Sequence, residues 1–330
     1  MSRKATHANS WYTGESKKLN KELENWLDKV PEQTNSGVNI PVKGARGIIS
    51  PHAGYTYSGQ AAAYAYKCLD IDTIKRVFIL GPSHHVYLNG CALSKCHTYE
   101  TPLGSLTVDK EVNSTLMSGG NFTWMSLEVD SDEHSIEMQL PFIYKLFESK
   151  IEDITIVPIL VGGLSATKEK SYGKLVSEYL DDPENFFVIS SDFCHWGTRF
   201  SYTFYSTGEK PSTSPSTISK VTTRTIPIYE SIERLDKEGM KVIEEVNPTK
   251  FQEYLNATKN TICGRHPIGV ILSAIEAWMG DKEKDKEEII QGNHQSDSPI
   301  IRFVHYSQSS RVQHPSESSV SYASAYIYLP

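Results

Sequence analysis

Four short apolar runs in this 330-residue chain each stop abruptly in side chains that handle metals or protons. They read Ile48-Ile49-Ser50-Pro51-His52-Ala53-Gly54-Tyr55, Val77-Phe78-Ile79-Leu80-Gly81-Pro82-Ser83-His84-His85, Phe187-Val188-Ile189-Ser190-Ser191-Asp192-Phe193-Cys194-His195-Trp196 and Thr261-Ile262-Cys263-Gly264-Arg265-His266-Pro267. One such cluster carries little weight. Four on one pattern point to a single site at the carboxyl edge of a sheet, where open α/β folds keep their ligands.

The intervening sequence supports that architecture. Ser16 to Val30 places Leu19, Leu23, Trp26, Leu27 and Val30 on one helical face before Pro31 stops it. Strand-like 47–50, Arg76–Leu80, Ile154–Val161 and Phe186–Ile189 alternate with helical Gln60–Cys68, Ala166–Leu180 and Pro267–Trp278. That order predicts one α/β domain over 1–330, a mainly parallel central sheet with helices on both faces. Ile300–Ser307 and Ser319–Tyr328 have no helix between them, which predicts an antiparallel pair near the sheet edge. The stretch 207–227, rich in Ser, Thr and Pro, reads as a mobile surface loop, its Ser214-Pro215 step more simply solvated than a phosphorylation site. Asp281–Glu288 reads as an exposed helix end.

Composition narrows the class of partner. A formal net charge of −7 argues against a general nucleic-acid or membrane-surface binder. No apolar run approaches the roughly 18 residues of a membrane span. Met1-Ser2-Arg3-Lys4-Ala5-Thr6-His7 leads into polar sequence without a signal-peptide core, so a cytoplasmic location is expected. Five scattered cysteines (Cys68, Cys91, Cys96, Cys194 and Cys263) form no disulfide framework and read as reduced thiols.

His52 and His84 each follow a strand end, beside Pro51 and Pro82, where loops of neighbouring strands bring two rings together. Cys263 offers a soft third donor. Any one of these alone is more often a packed residue; their converging positions make them candidate metal ligands. Asp192 and His195 read as groups that orient the ligands or exchange protons, while Cys194 reads as a packed thiol. Were the strand to persist, Asp192 and Cys194 would share a face and His195 the other. His134 and Glu137, three apart, share a helical face and suit a metal or acid–base role; with Glu133 they equally suit a helix amino end. His85, His97 and His305 read as structural.

At these motifs the chain resembles the Memo family, named for a mediator of receptor-driven cell motility. The matching words run nearly end to end: Ser10-Trp11-Tyr12, Pro51-His52-Ala53-Gly54-Tyr55-Thr56-Tyr57, Gly81-Pro82-Ser83-His84-His85, Asp132-Glu133-His134-Ser135-Ile136-Glu137-Met138, Ser191-Asp192-Phe193-Cys194-His195-Trp196-Gly197, Thr261-Ile262-Cys263-Gly264-Arg265-His266-Pro267 and Ser318-Ser319-Val320-Ser321-Tyr322-Ala323. The Ser/Thr/Pro stretch after Tyr205 departs from the family pattern. The resemblance implies a fold like that of class III extradiol dioxygenases. It implies iron (Fe2+) or copper (Cu+) at His52, His84 and Cys263, with Asp192 and His195 beside it. It further implies a cleft for a phosphotyrosine-containing or other peptide, lined by Trp11, Tyr57 and Arg199, the last suited to a phosphate.

Those dioxygenases bind iron through two histidines and a carboxylate. A thiolate at Cys263 changes that donor set. The resemblance makes a metal-binding, redox-linked signalling protein the leading expectation, cytoplasmic and also nuclear, acting in cell motility, the cytoskeleton or polarised growth. A non-catalytic phosphopeptide adaptor comes second, and an aromatic-ring dioxygenase third.

Overall fold

In the strand Arg76–Pro82 every residue from Val77 onward is buried. Val77 and Ile79 join one apolar core, whereas Phe78 and Leu80 join another. The strands Thr155–Val161 and Asn185–Ser190 divide in the same alternating way. A strand apolar on both faces must be covered on both. The architecture follows from that requirement. A computed structural model describes residues 1–34, 37–206, 216–217, 226–287 and 298–330.

In chain order the first elements are β1 (Ser2–Arg3), α1 (Ser16–Asp28), β2 (Ala45–Ser50), α2 (Tyr55–Tyr66), β3 (Arg76–Pro82) and β4 (Cys91–Leu93). Then come β5 (Thr98–Thr101), β6 (Gly104–Thr107), α3 (Lys110–Ser118), β7 (Phe122–Trp124), α4 (Leu127–Asp132), α5 (His134–Glu137) and α6 (Leu140–Phe147). The middle of the chain gives β8 (Thr155–Val161), α7 (Ala166–Ser177), β9 (Asn185–Ser190), β10 (His195–Trp196), β11 (Phe204–Tyr205) and β12 (Ser216–Thr217). It closes with α8 (Ile228–Glu244), α9 (Pro248–Thr258), α10 (Arg265–Glu287), β13 (Ile300–Gln308) and β14 (Ser319–Tyr328).

The large sheet has the order β10-β14-β2-β9-β3-β8-β4-β7, with β13 also on β14. Its centre, β2-β9-β3-β8, is wholly parallel. The flanks differ from the expected mainly parallel sheet, because β14 runs antiparallel to β2 and β4 antiparallel to β8. The sheet is therefore mixed. Strands β13 and β14, which follow each other without a helix, pair antiparallel as expected. It is β13, not β14, that lies outermost of the two.

Helices cover both faces. Leu19, Leu23 and Leu27 of α1 recur every four residues and are buried with the alanines of α2 on one face. Residues of α7, α8, α9 and α10 fill the core on the other. Helix α1 ends at Asp28, two residues before the expected stop, and Val30 still packs into the core. The helix expected to run on from Glu133 is instead two short helices, α5 and α6. The expected mobile loop and Ser214-Pro215 lie outside the described residues, apart from Ser216–Thr217, which pairs with β11, and residues 226–227. Helix α10 carries the charged run to Glu287, and residue 288 lies outside the described residues.

Adjacent β2 and β9 send the chain to opposite faces, the first into α2 and the second towards α8, α9 and α10. Such a divergence opens a crevice at the carboxyl edge of a sheet. No helix among the described residues is long and apolar enough to cross a membrane.

Candidate metal centre

Three strands deliver their residues to this edge at the same offset. His52, His84 and Asp192 each lie two residues beyond the last residue of β2, β3 and β9. Contrary to expectation, the two histidines do not come from neighbouring strands, since β9 lies between β2 and β3. Their rings nevertheless meet, with centroids 5.2 Å apart. Cys263 arrives from the opposite face in the turn before α10. Gly264 permits that approach: a Cβ there would lie 2.3 Å from the Ser191 Cβ and 2.5 Å from the Ser190 carbonyl oxygen.

One donor atom from each of His52, His84 and Cys263 lies within 4.8 Å of the others. Ligand atoms around a four-coordinate ion with bonds of about 2.0–2.3 Å stand roughly 3.3–3.8 Å apart. Small side-chain rotations bridge that difference, and two imidazoles with a thiolate suit a borderline or soft ion. The Cys263 Sγ already stands 3.1 Å from His52 Nε2.

Hydrogen bonds fix which nitrogen of each ring is free. His84 Nδ1 lies 2.9 Å from Glu133 Oε1, while Glu133 Oε2 accepts the His84 amide at 2.8 Å. Burial pushes the Glu133 carboxyl up, but its His84 contacts outweigh that and hold it down at about 2. An ionised carboxylate only accepts, so His84 carries its proton on Nδ1 and leaves Nε2 open. His195 Nδ1 faces two carbonyls, Phe193 O at 2.9 Å and Thr261 O at 3.1 Å, and likewise leaves Nε2 open. Burial, and then the neighbouring His84, His134 and His195, keep His52 well below the ordinary imidazole range and hence neutral. Burial also pushes the Cys263 thiol up, so without a cation it stays protonated.

Asp192 ties the two deepest donors together. Its carboxylate accepts the His52 amide at 2.8 Å, and its own amide reaches Cys263 Sγ at 3.3 Å. Burial raises its carboxyl, with His195 opposing. Asp192 and His195 are not in the converging donor set among the described residues. The persisting strand considered for this segment is not observed: β9 ends at Ser190, and the chain turns before β10. Cys194 is fully buried in the apolar core, its amide on Asp236 at 3.2 Å, in keeping with a packed thiol.

His134 and Glu137 do not share a task. Helix α5 has only four residues, and its neighbours draw the two side chains apart. Glu137 accepts from Arg3 Nη1 at 2.6 Å, His7 Nδ1 at 2.7 Å and Tyr12 Oη at 2.7 Å. Burial opposes its ionisation, but the His7 and Arg3 contacts hold it down at about 2. His134 stacks between His84 and Trp11, at 4.3 Å from each. His84, Glu133 and His134 form a second converging group, although both Glu133 oxygens are already engaged, Oε1 also accepting the Ser135 amide. Glu133 thus caps α5, as a helix-start acid was expected to, and also orients His84, a role not read from the sequence.

The peptide-lining candidates fall on two sides. Trp11 lies beside His134. Tyr57, 63% exposed, and Arg199, also exposed, both act electrostatically on buried Tyr322. No described contact joins Trp11 to the other two. Sequence reasoning missed Ser190, Tyr322 and Thr261. Ser190 and Thr261 stood inside the quoted runs, but only their hydrogen bonds to His52 and His195 give them a role.

The fold and site together define an α/β protein with imidazole and thiol donors at the carboxyl edge of its parallel strands. The chain belongs to the Memo family. A family model described as Memo-like protein matches residues 3–326. Protein MEMO1 of Danio rerio is 48% identical over 323 residues, which cover 97% of this chain and 95% of that protein. Protein MEMO1 of Homo sapiens is 47% identical with the same coverage. Protein memo-1 homolog of Caenorhabditis elegans is 46% identical over 327 residues, 99% of this chain and 83% of its own.

Proposed function

We propose that this chain holds one redox-active ion, Fe2+ or Cu+, through His52, His84 and Cys263. The reading assigns it redox-linked signalling in cell motility and polarised growth, in the cytoplasm and nucleus, on a fold of the class III extradiol dioxygenase type. One observation carries the metal assignment: three donors of suitable chemistry converge within 4.8 Å. The cellular role rests on the family resemblance. When bound, the ion supplies one-electron chemistry. The chain's own residues do the rest. His84 is held by Glu133 and His52 by its buried neighbours. Asp192 fixes the spacing between His52 and Cys263. The Cys263 thiol releases its proton as the cation enters, and His195 Nε2, open beside the site, is suited to receive a proton. Metal content of the purified protein tests this, with Cys263→Ser and His52→Ala expected to lose the ion. Unchanged content in both variants rejects the assignment.

A second reading is favoured by the exposure of Arg199 and Tyr57, a guanidinium and a phenol open to a ligand. In it the cleft captures a tyrosine-phosphorylated peptide without turnover. Calorimetric titration with phosphorylated and plain peptide separates the two, and equal affinity rejects it. Ring-cleaving dioxygenase activity ranks last because Cys263 stands where a carboxylate would; oxygen uptake with catechols under Fe2+ decides it.

A further inference from the structure

Three polar atoms touch Ser190 Oγ, and simple bonding rules fix the sense of each contact. The Ser135 carbonyl, at 2.7 Å, can only accept, so it takes the one hydroxyl proton. Gln139 Nε2, at 2.9 Å, can only donate. The Gln139 amide cannot be the other way round, because Nε2 also donates to the Pro51 carbonyl at 3.0 Å and Oε1 accepts from Tyr66 Oη at 2.9 Å. One lone pair of Ser190 remains for its third neighbour, His52 Nδ1 at 2.8 Å. That contact is therefore Nδ1–H donating to oxygen. The opposite nitrogen, Nε2, is left bare and faces Cys263 Sγ.

We propose that Ser190, fixed in turn by Gln139 and Tyr66, is the positioning residue that sets the tautomer of His52 and turns its Nε2 lone pair into the cleft. The four side chains are almost fully buried: Tyr66, Gln139 and Ser190 at 0% exposure and His52 at 2%. Bulk water does not compete with this relay. Without the Ser190 oxygen, the imidazole proton loses its acceptor at Nδ1. It then moves to Nε2, where Cys263 Sγ accepts it, and the lone pair offered to a cation disappears. The tautomer of His52 follows from hydrogen bonds alone; its consequence for ion affinity rests on the metal reading above.

Long-range 1H–15N correlation spectra of histidine-labelled, metal-free full-length protein at neutral pH test it. Wild type is expected to give His52 the Nδ1–H pattern. Ser190→Ala should move His52 wholly or largely to Nε2–H and leave His84, held by Glu133, unchanged. Ser190→Thr, which keeps a hydroxyl, should restore the wild-type pattern. Titration with Fe2+ should then show affinity about 10–100-fold weaker in Ser190→Ala and near wild type in Ser190→Thr. An Nε2–H pattern in wild type, which needs no variant to observe, overturns the proposal. So does an unchanged His52 pattern in folded Ser190→Ala. If the tautomer moves as expected while wild type binds no Fe2+ or Cu+, the positioning role stands and the metal reading falls.

Discussion

His52 and His84 present the same open nitrogen, yet the two walls that hold them are built on opposite principles. The His52 ring is held behind β2 and β9 by a relay of a hydroxyl, an amide and a phenol, none of them charged. The His84 side chain is 26% exposed and hangs on a carboxylate, with Glu137 anchoring the amino-terminal segment close by. Depth accounts for the difference. A carboxylate set against the buried His52 ring would lose its hydration without a cation to replace it; Asp192, buried beside it, instead accepts the His52 backbone amide. At the rim, amides and a partly wet imidazole are enough to keep Glu133 ionised. The hydroxyl, amide and phenol behind the His52 ring do not titrate in the acid range, whereas the Glu133 wall does.

The largest expected effect comes from Glu137→Ala, which leaves buried Arg3 facing no carboxylate at that position. Denaturant unfolding should register a loss of about 3–5 kcal/mol. A loss no greater than that of Ser190→Ala, expected near 1–2 kcal/mol, would erase the contrast between the walls. Acid comes next. Glu133 and Glu137 are held at about 2 in the folded chain against an ordinary 4.5. Their stabilisation is complete above about pH 4.5 and drains away as pH falls towards 2, on the order of 3 kcal/mol for each. Stability measured across that window in wild type and Glu133→Gln should differ most at its upper end and converge at its lower. Parallel curves would assign the loss to other carboxylates.

Glu133→Ala should also weaken ion binding about 10–100-fold by freeing the His84 ring, read by competition with a metal indicator. Because Ser190→Ala acts on a different ring, the double variant should lose roughly the product of the two factors; a coupled loss would mean that the walls are one unit. Tyr57→Ala lies outside both. It should change stability by less than about 0.5 kcal/mol, which calorimetry resolves, and any larger shift would bring Tyr57 into the packed structure.

How much of this was legible depends on whether a local pattern carried it. The strands and their offset residues were readable because an apolar run followed by Pro or Ser and then His is a short-range signal. The order of strands was not. Nothing between residues 50 and 185 says that β9 will insert between β2 and β3, since that choice is made by packing on both faces. Glu133 was visible as a helix-start acid, but its grip on His84 spans 49 residues. Ser190 was quoted in the sequence and passed over, because a serine after a strand is ordinary until its three contacts are counted. Arg3 looked like part of a polar leader, yet its guanidinium is fully buried between Asp130 and Glu137.

The pile of rings that runs from Trp11 through His134 to His84 has an optical consequence. Trp11 is the tryptophan stacked into the histidine cluster. Trp26 instead meets Tyr55 and Phe142, Trp196 bonds the Phe204 carbonyl, and Trp278 bonds Asp181. The difference in emission between wild type and Trp11→Phe therefore isolates light from the cleft alone. An ion that enters beside His84 should change that light. The chain thus carries its own lamp for reporting when the cleft is filled.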